Sequence, residues 1–204
     1  MARRGRGHTA RLAAALVGTF AAGLALGACN RSAPGWARVE GTFFVEDCTR
    51  GEDVRFDAFA YDAGYLATRR FEDSLSIQLF RSQVRVEETD GLTIQLASVD
   101  AVRAFPAPTP ERPLLLPIGP HQSTARAILS LYTTCPRRPT LAVRTGTLAL
   151  TRALLTSDPL DSGDEEHLTG TLTASVVGAD DAVVVGSLRA SFDFEPVSTP
   201  VIAR

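Results

Sequence analysis

The sequence predicts an all-β fold: an antiparallel β-sandwich of about eight strands, with a closed β-barrel as the alternative. Two observations lead to this prediction. Apolar and polar residues alternate with a period of two in seven segments, which is typical of half-buried antiparallel strands. Runs rich in glycine, proline or aspartate separate these segments, as expected for turns. The pattern predicts a single β domain at residues 37–204, behind a leader at residues 1–28 and a short tether at residues 29–36.

The first five alternating segments each place a row of apolar side chains on one face of a strand. In the second of them, Phe59 and Tyr61 are expected on the face opposite that row. These rows are the predicted core, because one face of each antiparallel strand packs inward. They comprise Val39, Gly41, Phe43 and Val45; Val54, Phe56, Ala58 and Ala60; Leu75, Ile77 and Leu79; Leu92, Ile94 and Leu96; and Ala127, Leu129 and Leu131.

The two remaining segments predict a terminal β-hairpin. HLTGTLTASVV begins at His167 and VVVGSLRASFDFEP ends at Pro196, with the turn-rich residues GADDA between them. Gly170 and Gly186 lie on the apolar faces of these two strands. A glycine inside a strand marks a bulge or the close approach of another backbone, so we expect such an approach at both positions.

Three segments depart from the strand pattern. SVDAVRAF predicts one or two helical turns with Ser98 or Asp100 as the N-cap. DAGYLATRRFEDS, residues 62–74, is predicted to be a short helix or a loop. The proline-rich residues 105–120 predict a loop or an extended crossing at a sheet edge. Within that segment, Leu114–Leu116 either fold back onto the core or stay exposed as a contact patch.

The leader has the pattern of an exported protein. Four arginines lie in the first 11 residues, and an uncharged, mostly apolar run of 15 residues follows, from Leu12 to Leu26. A membrane-spanning helix needs about 20 such residues, whereas a basic start with an apolar run of about 7–15 residues is typical of a secretory signal peptide. We therefore expect residues 1–28 to be removed during export.

The end of the leader resembles the lipobox of bacterial lipoproteins, because Leu26, Gly27 and Ala28 precede Cys29. The resemblance covers the leader alone, and the alternatives are an ordinary signal peptide with a chance cysteine or a short membrane anchor. It implies that the Cys29 thiol receives a diacylglycerol group, that a lipoprotein signal peptidase cuts before this residue, and that acyl chains anchor the protein in a membrane. Asn30 follows, where in enteric bacteria an aspartate retains lipoproteins at the inner membrane, so we expect the outer membrane.

The cysteine count predicts one disulfide. The chain has three cysteines, and lipidation of Cys29 would leave Cys48 and Cys135 as a pair. An exported protein enters an oxidising compartment, so we expect these two thiols to be bridged. Two buried free thiols are the alternative. A zinc site is disfavoured, because the sequence has no CxxC motif and no recognisable histidine spacing.

The densest polar cluster lies in SDPLDSGDEEH, residues 157–167, between two predicted strands. Its acidic residues offer the oxygen ligands that Ca²⁺ prefers, although their spacing differs from that of an EF-hand loop. We expect a solvated loop, with a Ca²⁺ site as the weaker alternative. The candidate ligands are Asp158, Asp161, Asp164, Glu165 and Glu166.

The sequence contains no recognisable catalytic motif. His121 and His167 are the histidines beyond the leader, and neither a G-x-S-x-G elbow nor an S-x-x-K motif accompanies them. We expect a surface residue at the first position and the start of a strand at the second. An enzyme would need one of these histidines to meet carboxylates in a cleft. We expect no catalytic residue and no cofactor.

The charge pattern disfavours nucleic-acid binding, since the net charge is -2 and the arginines are scattered rather than clustered. In the order of its segments, up to the terminal FDFEP, the chain resembles uncharacterised bacterial envelope lipoproteins with β-sandwich domains. That resemblance implies no particular activity. We expect a non-catalytic binding or assembly module that meets an envelope protein, with a small-ligand carrier of lipocalin-like barrel shape as the alternative.

Overall fold

One compact unit, Arg31–Arg204, contains all the residues that the computed structural model describes: 32–71, 73–82, 88–119, 124–155, 166–178 and 184–196. Within these residues the chain forms ten strands and one short helix, α1 (Val99–Arg103). The strands are β1 (Gly35–Thr49), β2 (Glu52–Asp62), β3 (Tyr65–Phe71), β4 (Ser74–Phe80), β5 (Asp90–Leu96), β6 (Leu114–Ile118), β7 (Ala125–Leu131), β8 (Thr140–Leu154), β9 (His167–Val177) and β10 (Val184–Phe194).

The all-β prediction is confirmed, and the strands join one mostly antiparallel sheet curled into a half-barrel. Their order is β2-β1-β10-β9-β8-β6-β7-β5-β4-β3, so the described residues form ten strands in one sheet rather than about eight in two. The long strand β8 explains why the strands form one continuous sheet. It pairs with β7 near its start, at Leu141 and Leu129, and with β6 further along, at Leu148 and Leu116.

The two edge strands come together at one corner of the curled sheet. β2 and β3 lie at opposite ends of the strand order, yet only Ala63 and Gly64 separate them in the chain. The buried Tyr61 hydroxyl on β2 donates a hydrogen bond to the Leu79 carbonyl oxygen on β4, 3.0 Å away. The short connection and this hydrogen bond therefore hold the sheet in its curled form.

The predicted inner rows on β1, β4, β5 and β7 are confirmed as core. Their large apolar side chains belong to one buried hydrophobic cluster that fills the inside of the curled sheet. The side-chain alternation of these strands is regular enough for the period-two pattern to assign the buried face correctly.

The predicted inner row on β2 is wrong in its second half. Phe59 and Tyr61 are buried, whereas Ala58 is exposed. The register with β1 shows the cause: residues 41–43 of β1 face residues 56–59 of β2, so β2 carries one extra residue. Such a bulge reverses which side chains point inward beyond it, and the sequence pattern gives no sign of its position.

β3 replaces the short helix or loop predicted at residues 62–74. It pairs with β4 along its whole length, from Tyr65 opposite Phe80 to Phe71 opposite Ser74. The inner face of β3 carries Thr68 and Arg70 after Leu66, so polar residues interrupt the apolar row and pairing with β4 decides the conformation.

The segment from residue 98 to residue 120 contains the predicted helix and an additional strand. Ser98 is the N-cap of α1, and its hydroxyl accepts a hydrogen bond from the Ala101 amide at 3.2 Å, which confirms that prediction. In the proline-rich part, β6 buries Leu114 and Leu116 on the core and exposes Leu115. The leucine run therefore folds back onto the core at Leu114 and Leu116, while a contact role for the exposed Leu115 stays a prediction.

The terminal hairpin is confirmed, with β9 paired antiparallel to β10. Both glycines lie where another strand approaches closely. A Cβ at Gly186 would lie 2.1 Å from the Thr42 carbonyl oxygen, and one at Gly170 would lie 2.8 Å from the Ala149 carbonyl oxygen. A side chain at either position would push the neighbouring strand away, which accounts for the glycines.

Candidate functional site

A groove of about 460 Å³ lies on the outer face of the sheet, where β2, β1 and β10 run side by side. Strand register brings its residues together: Glu40 on β1 lies opposite Ala60 on β2 and Arg189 on β10. The core lies on the inner face of the sheet. The groove lies on the opposite, outer face and opens to solvent. Its lining consists of Arg38, Glu40, Gly41, Thr42, Asp57, Ala58, Phe59, Ala60, Ser187 and Arg189.

Small outward side chains and the bulge in β2 create this depression. Ala58, Ala60 and Ser187 are exposed and leave the space above the backbone open. The bulge leaves two successive residues, Asp57 and Ala58, exposed on the outer face. The Thr42 hydroxyl donates a hydrogen bond to the Asp57 carbonyl oxygen at 3.4 Å, which ties the bulge to β1.

Ion pairs neutralise most of the charges in the groove. Arg38 donates from Nε to Glu40 Oε1 at 2.6 Å and from Nη1 to Asp62 Oδ1 at 2.9 Å. The hydrogen bond to Glu40, and then the one to Asp62, raise the pKa of Arg38. Arg55 donates to Asp57 Oδ1 at 2.9 Å in the same way. Both acids of the lining and one of its two arginines are therefore already paired.

Arg189 is the groove arginine whose charge remains unmatched. It is exposed, and no ion pair joins it to another residue in the described part of the chain. Glu40, which lies opposite it, is already bonded to Arg38. An exposed guanidinium presents up to five donors in a plane, which suits a carboxylate or another planar oxyanion. The groove is thus best suited to a polar ligand that carries a negative charge.

A second polar cluster surrounds His167, which begins β9 as predicted. Its Nε2 lies 2.5 Å from Asp193 Oδ1, and the Thr169 hydroxyl donates to that same oxygen at 3.1 Å. The imidazole and the hydroxyl therefore share one carboxylate oxygen, and this arrangement ties β9 to β10.

A buried ion pair links β3 to the residue before β9. Arg70 Nη2 donates to Glu166 Oε1, and the two side chains are 13% and 4% exposed. Burial lowers the pKa of Arg70, Glu166 opposes that effect, and Arg103 nearby adds to the lowering. Glu166 is therefore buried in the packed domain, which corrects the expectation that it lies in a solvated loop.

We use the name disulfide corner for Cys48, Asp90, Thr133, Thr134 and Cys135. Cys48 and Cys135 are bridged, which confirms the predicted disulfide. Beside them, the fully buried Asp90 carboxylate accepts hydrogen bonds from the Thr133 amide at 2.9 Å and the Thr134 amide at 3.1 Å. The Thr134 hydroxyl donates to the same carboxylate. The bridge thus holds the turn before β8 against the end of β1, and the charge-assisted bonds hold the same turn against the start of β5.

The described part of the predicted tether packs on the domain. β1 begins at Gly35, Ala33 is buried, and the Ala33 amide donates to the Leu66 carbonyl oxygen on β3 at 2.7 Å. The Leu66 amide in turn donates to the Ser32 hydroxyl at 3.0 Å. Residues 32–36 are therefore part of the β domain, ahead of its predicted start at residue 37.

Several predicted site residues lie outside the described residues. These are the lipobox residues Leu26, Gly27 and Ala28, the lipidation candidate Cys29, the histidine His121, and the Ca²⁺ candidates Asp158, Asp161, Asp164 and Glu165. In the described ranges, no three or more His, Cys, Asp or Glu side chains are grouped to hold a metal ion. The same ranges contain no helix that is long and apolar enough to cross a membrane.

Sequence reasoning missed the groove and the buried ion pair. Arg189 stands in the alternating outer row of the terminal hairpin, which marks it as exposed but not as part of a site. Arg70 and Glu166 are 96 positions apart, so no local pattern connects them. No known family model, curated protein or solved structure matches this chain.

Proposed function

We propose that the protein is a bacterial envelope lipoprotein, lipidated on Cys29, whose β domain is a non-catalytic binding or assembly module. The basic start, the apolar run and the Leu26–Cys29 lipobox support export and lipidation. The Cys48–Cys135 bridge is in keeping with an oxidising compartment. The lipid would be its contact with the membrane, and the expected location is the outer membrane.

The unmatched Arg189 in the groove is the observation that carries the binding function. The groove crosses three strands and is polar, open and partly lined by small residues, which suits an extended segment of a partner protein. The pairing of Arg38, Glu40 and Asp57 leaves Arg189 to meet a carboxylate of that segment. The core cluster lies on the inner face of the curled sheet, and the groove on the outer face is the cavity whose described lining supports binding.

Crosslinking in the native envelope tests this proposal. The tagged protein, its Arg189→Glu variant and its Arg126→Glu variant would be crosslinked and purified side by side. Arg126 is an exposed arginine on β7, so its variant makes the same charge change away from the groove. We expect a stoichiometric protein partner that is lost with Arg189→Glu and retained with Arg126→Glu.

A Cys29→Ser variant separates the anchor from the groove. Loss of the partner in this variant would mean that the lipid brings the domain to its partner. A partner that survives Arg189→Glu would move the binding site away from the groove. Absence of any partner in the unmodified protein would overturn the assembly role.

A further inference from the structure

The amino-terminal residues of the domain leave very little chain for a lipid tether. Ser32 and Ala33 pair with Leu66 on β3, and Ala33 is buried in the core. Three residues further back lies Cys29. Even when fully extended, three residues span about 11 Å. A lipid on Cys29 would therefore hold this end of the domain against the membrane surface.

Exposed apolar side chains lie at the same end. Trp36 at the start of β1 is 55% exposed and lies opposite Asp193 on β10. Asp193 is bonded to His167, and His167 lies opposite Leu154 on β8, which is 44% exposed. Trp36 and Leu154 thus lie on either side of the Asp193–His167 contact.

A third exposed apolar side chain comes from β3. Phe71 is 55% exposed and follows Arg70, whose buried partner is Glu166, the residue before β9. The same strand pairs with Ser32 and Ala33 near its start, at Leu66, whereas Phe71 ends the strand and is placed by the Arg70–Glu166 contact. We use the name amino-terminal end for this surface: residues 32–36, Arg70, Phe71, Leu154 and Glu166.

We propose that the amino-terminal end lies on the phospholipid bilayer, with Trp36, Phe71 and Leu154 in its interfacial region. The proposal rests on lipidation of Cys29, which supplies the short tether. Aromatic side chains favour the bilayer interface, where the ring meets acyl chains and the indole N–H meets water. Each exposed apolar side chain that enters this region leaves water, so the contact adds to the anchoring by the lipid.

In this proposed orientation, the groove and the disulfide corner lie at different distances from the membrane surface. The groove is lined from Arg38 onward on β1, close to the amino-terminal end, so a partner there would be met near the membrane surface. Cys48 lies at the other end of β1 and would face away from the bilayer. Tyr132, in the turn that precedes β8, lies at the opposite end of that strand from Leu154.

Trp36 provides the probe, because it is the one tryptophan of the chain. The full lipidated protein would be reconstituted in phosphatidylcholine–phosphatidylglycerol vesicles with and without brominated acyl chains. We expect a blue-shifted emission, strong quenching by the bromines, and acrylamide quenching about twofold weaker than for a tryptophan in water. The matched control is the Trp36→Phe/Tyr132→Trp variant, whose tryptophan should stay open to acrylamide and insensitive to the brominated lipid.

Mass spectrometry of the same preparations separates the two proposals. A protein without lipid on Cys29 would overturn the proposed lipoprotein and this inference together. A lipidated protein whose Trp36 responds like the tryptophan at position 132 would overturn the membrane contact alone. The Phe71→Ser/Leu154→Ser variant should weaken the bromine quenching of Trp36 while leaving the lipid in place, and unchanged quenching would exclude those two side chains from the contact.

Discussion

The two ends of β1 are held to the rest of the domain by different means. At the disulfide corner, a covalent bridge and a fully buried carboxylate with several hydrogen bonds close the structure. At the amino-terminal end, the closure depends on one buried ion pair between Arg70 and Glu166 and on the pairing of residues 32–33 with β3. That second end also leaves Trp36 and Phe71 largely exposed.

The two ends differ in what their exposed apolar side chains lie next to. Beside the disulfide corner, Tyr132 is 37% exposed, so exposure alone does not distinguish the two ends. Large apolar side chains gathered in solvent at one place favour an interaction surface. The amino-terminal end carries Trp36 only seven residues after Cys29, which is why we propose the membrane contact at this end.

Among changes at the amino-terminal end, breaking the buried ion pair should cause the largest loss of stability against unfolding. Glu166→Gln removes the buried carboxylate that Arg70 contacts, which should lower the free energy of unfolding by about 3–5 kcal/mol. Urea denaturation followed by circular dichroism measures the change. Glu195→Gln removes the same charge from an exposed residue that follows β10 and should leave the midpoint almost unchanged. Equal shifts in the two variants would mean that the pair contributes little.

Removing the bridge tests the disulfide corner in the same assay. The Cys48→Ser/Cys135→Ser variant should lose about 2–5 kcal/mol, because the bridge restricts the unfolded chain over a large sequence separation. Reducing agent should lower the urea midpoint of the unmodified protein to that of the variant. It should leave the midpoint of the variant unchanged. If reduction does not shift the unmodified protein, the buried Asp90 bonds rather than the bridge hold this corner.

The Tyr61 hydroxyl that joins β2 to β4 should make the stability of the domain decrease at alkaline pH. Tyr61→Phe removes its hydrogen bond to Leu79 and should cost about 1 kcal/mol at neutral pH. Burial raises the pKa of Tyr61 above its usual 10.0, so the unfolded chain loses this proton first. Stability from this group is therefore complete below about pH 10 and declines as the pH rises further.

Urea midpoints at neutral pH and above pH 10 measure that decline. The Tyr61→Phe variant should be less stable at neutral pH but should lose less on going to alkaline pH. Tyr132→Phe changes an exposed tyrosine and provides the control. The same alkaline loss in the Tyr61→Phe variant and the unmodified protein would show that other groups cause it.

The smallest effect on stability is expected from the exposed side chains of the amino-terminal end. Trp36→Ser and Phe71→Ser should each change the free energy of unfolding by no more than about 0.5 kcal/mol. Phe192→Ala removes a fully buried ring and should cost about 3–5 kcal/mol. A large loss from the exposed residues would mean that they support the fold instead of a contact.

The sequence by itself determined the strands whose alternation is undisturbed. The terminal hairpin, the inner rows of β1, β4, β5 and β7, and the Ser98 cap of α1 follow from local rules, because burial of one strand face and capping of a helix leave periodic signs. The pairing of Cys48 with Cys135 followed from the cysteine count. The lipobox is also a local pattern, and lipidation remains a prediction.

Only the tertiary structure decided the features that depend on which strands become neighbours. The bulge in β2, the strand character of β3, the Arg70–Glu166 pair and the groove around Arg189 all arise from pairing between distant segments. A bulge changes which side chains face inward without changing composition, and a buried ion pair joins residues far apart in sequence. Local periodicity does not reveal such pairings. The contacts that stabilise them join distant segments and form only once the sheet has curled.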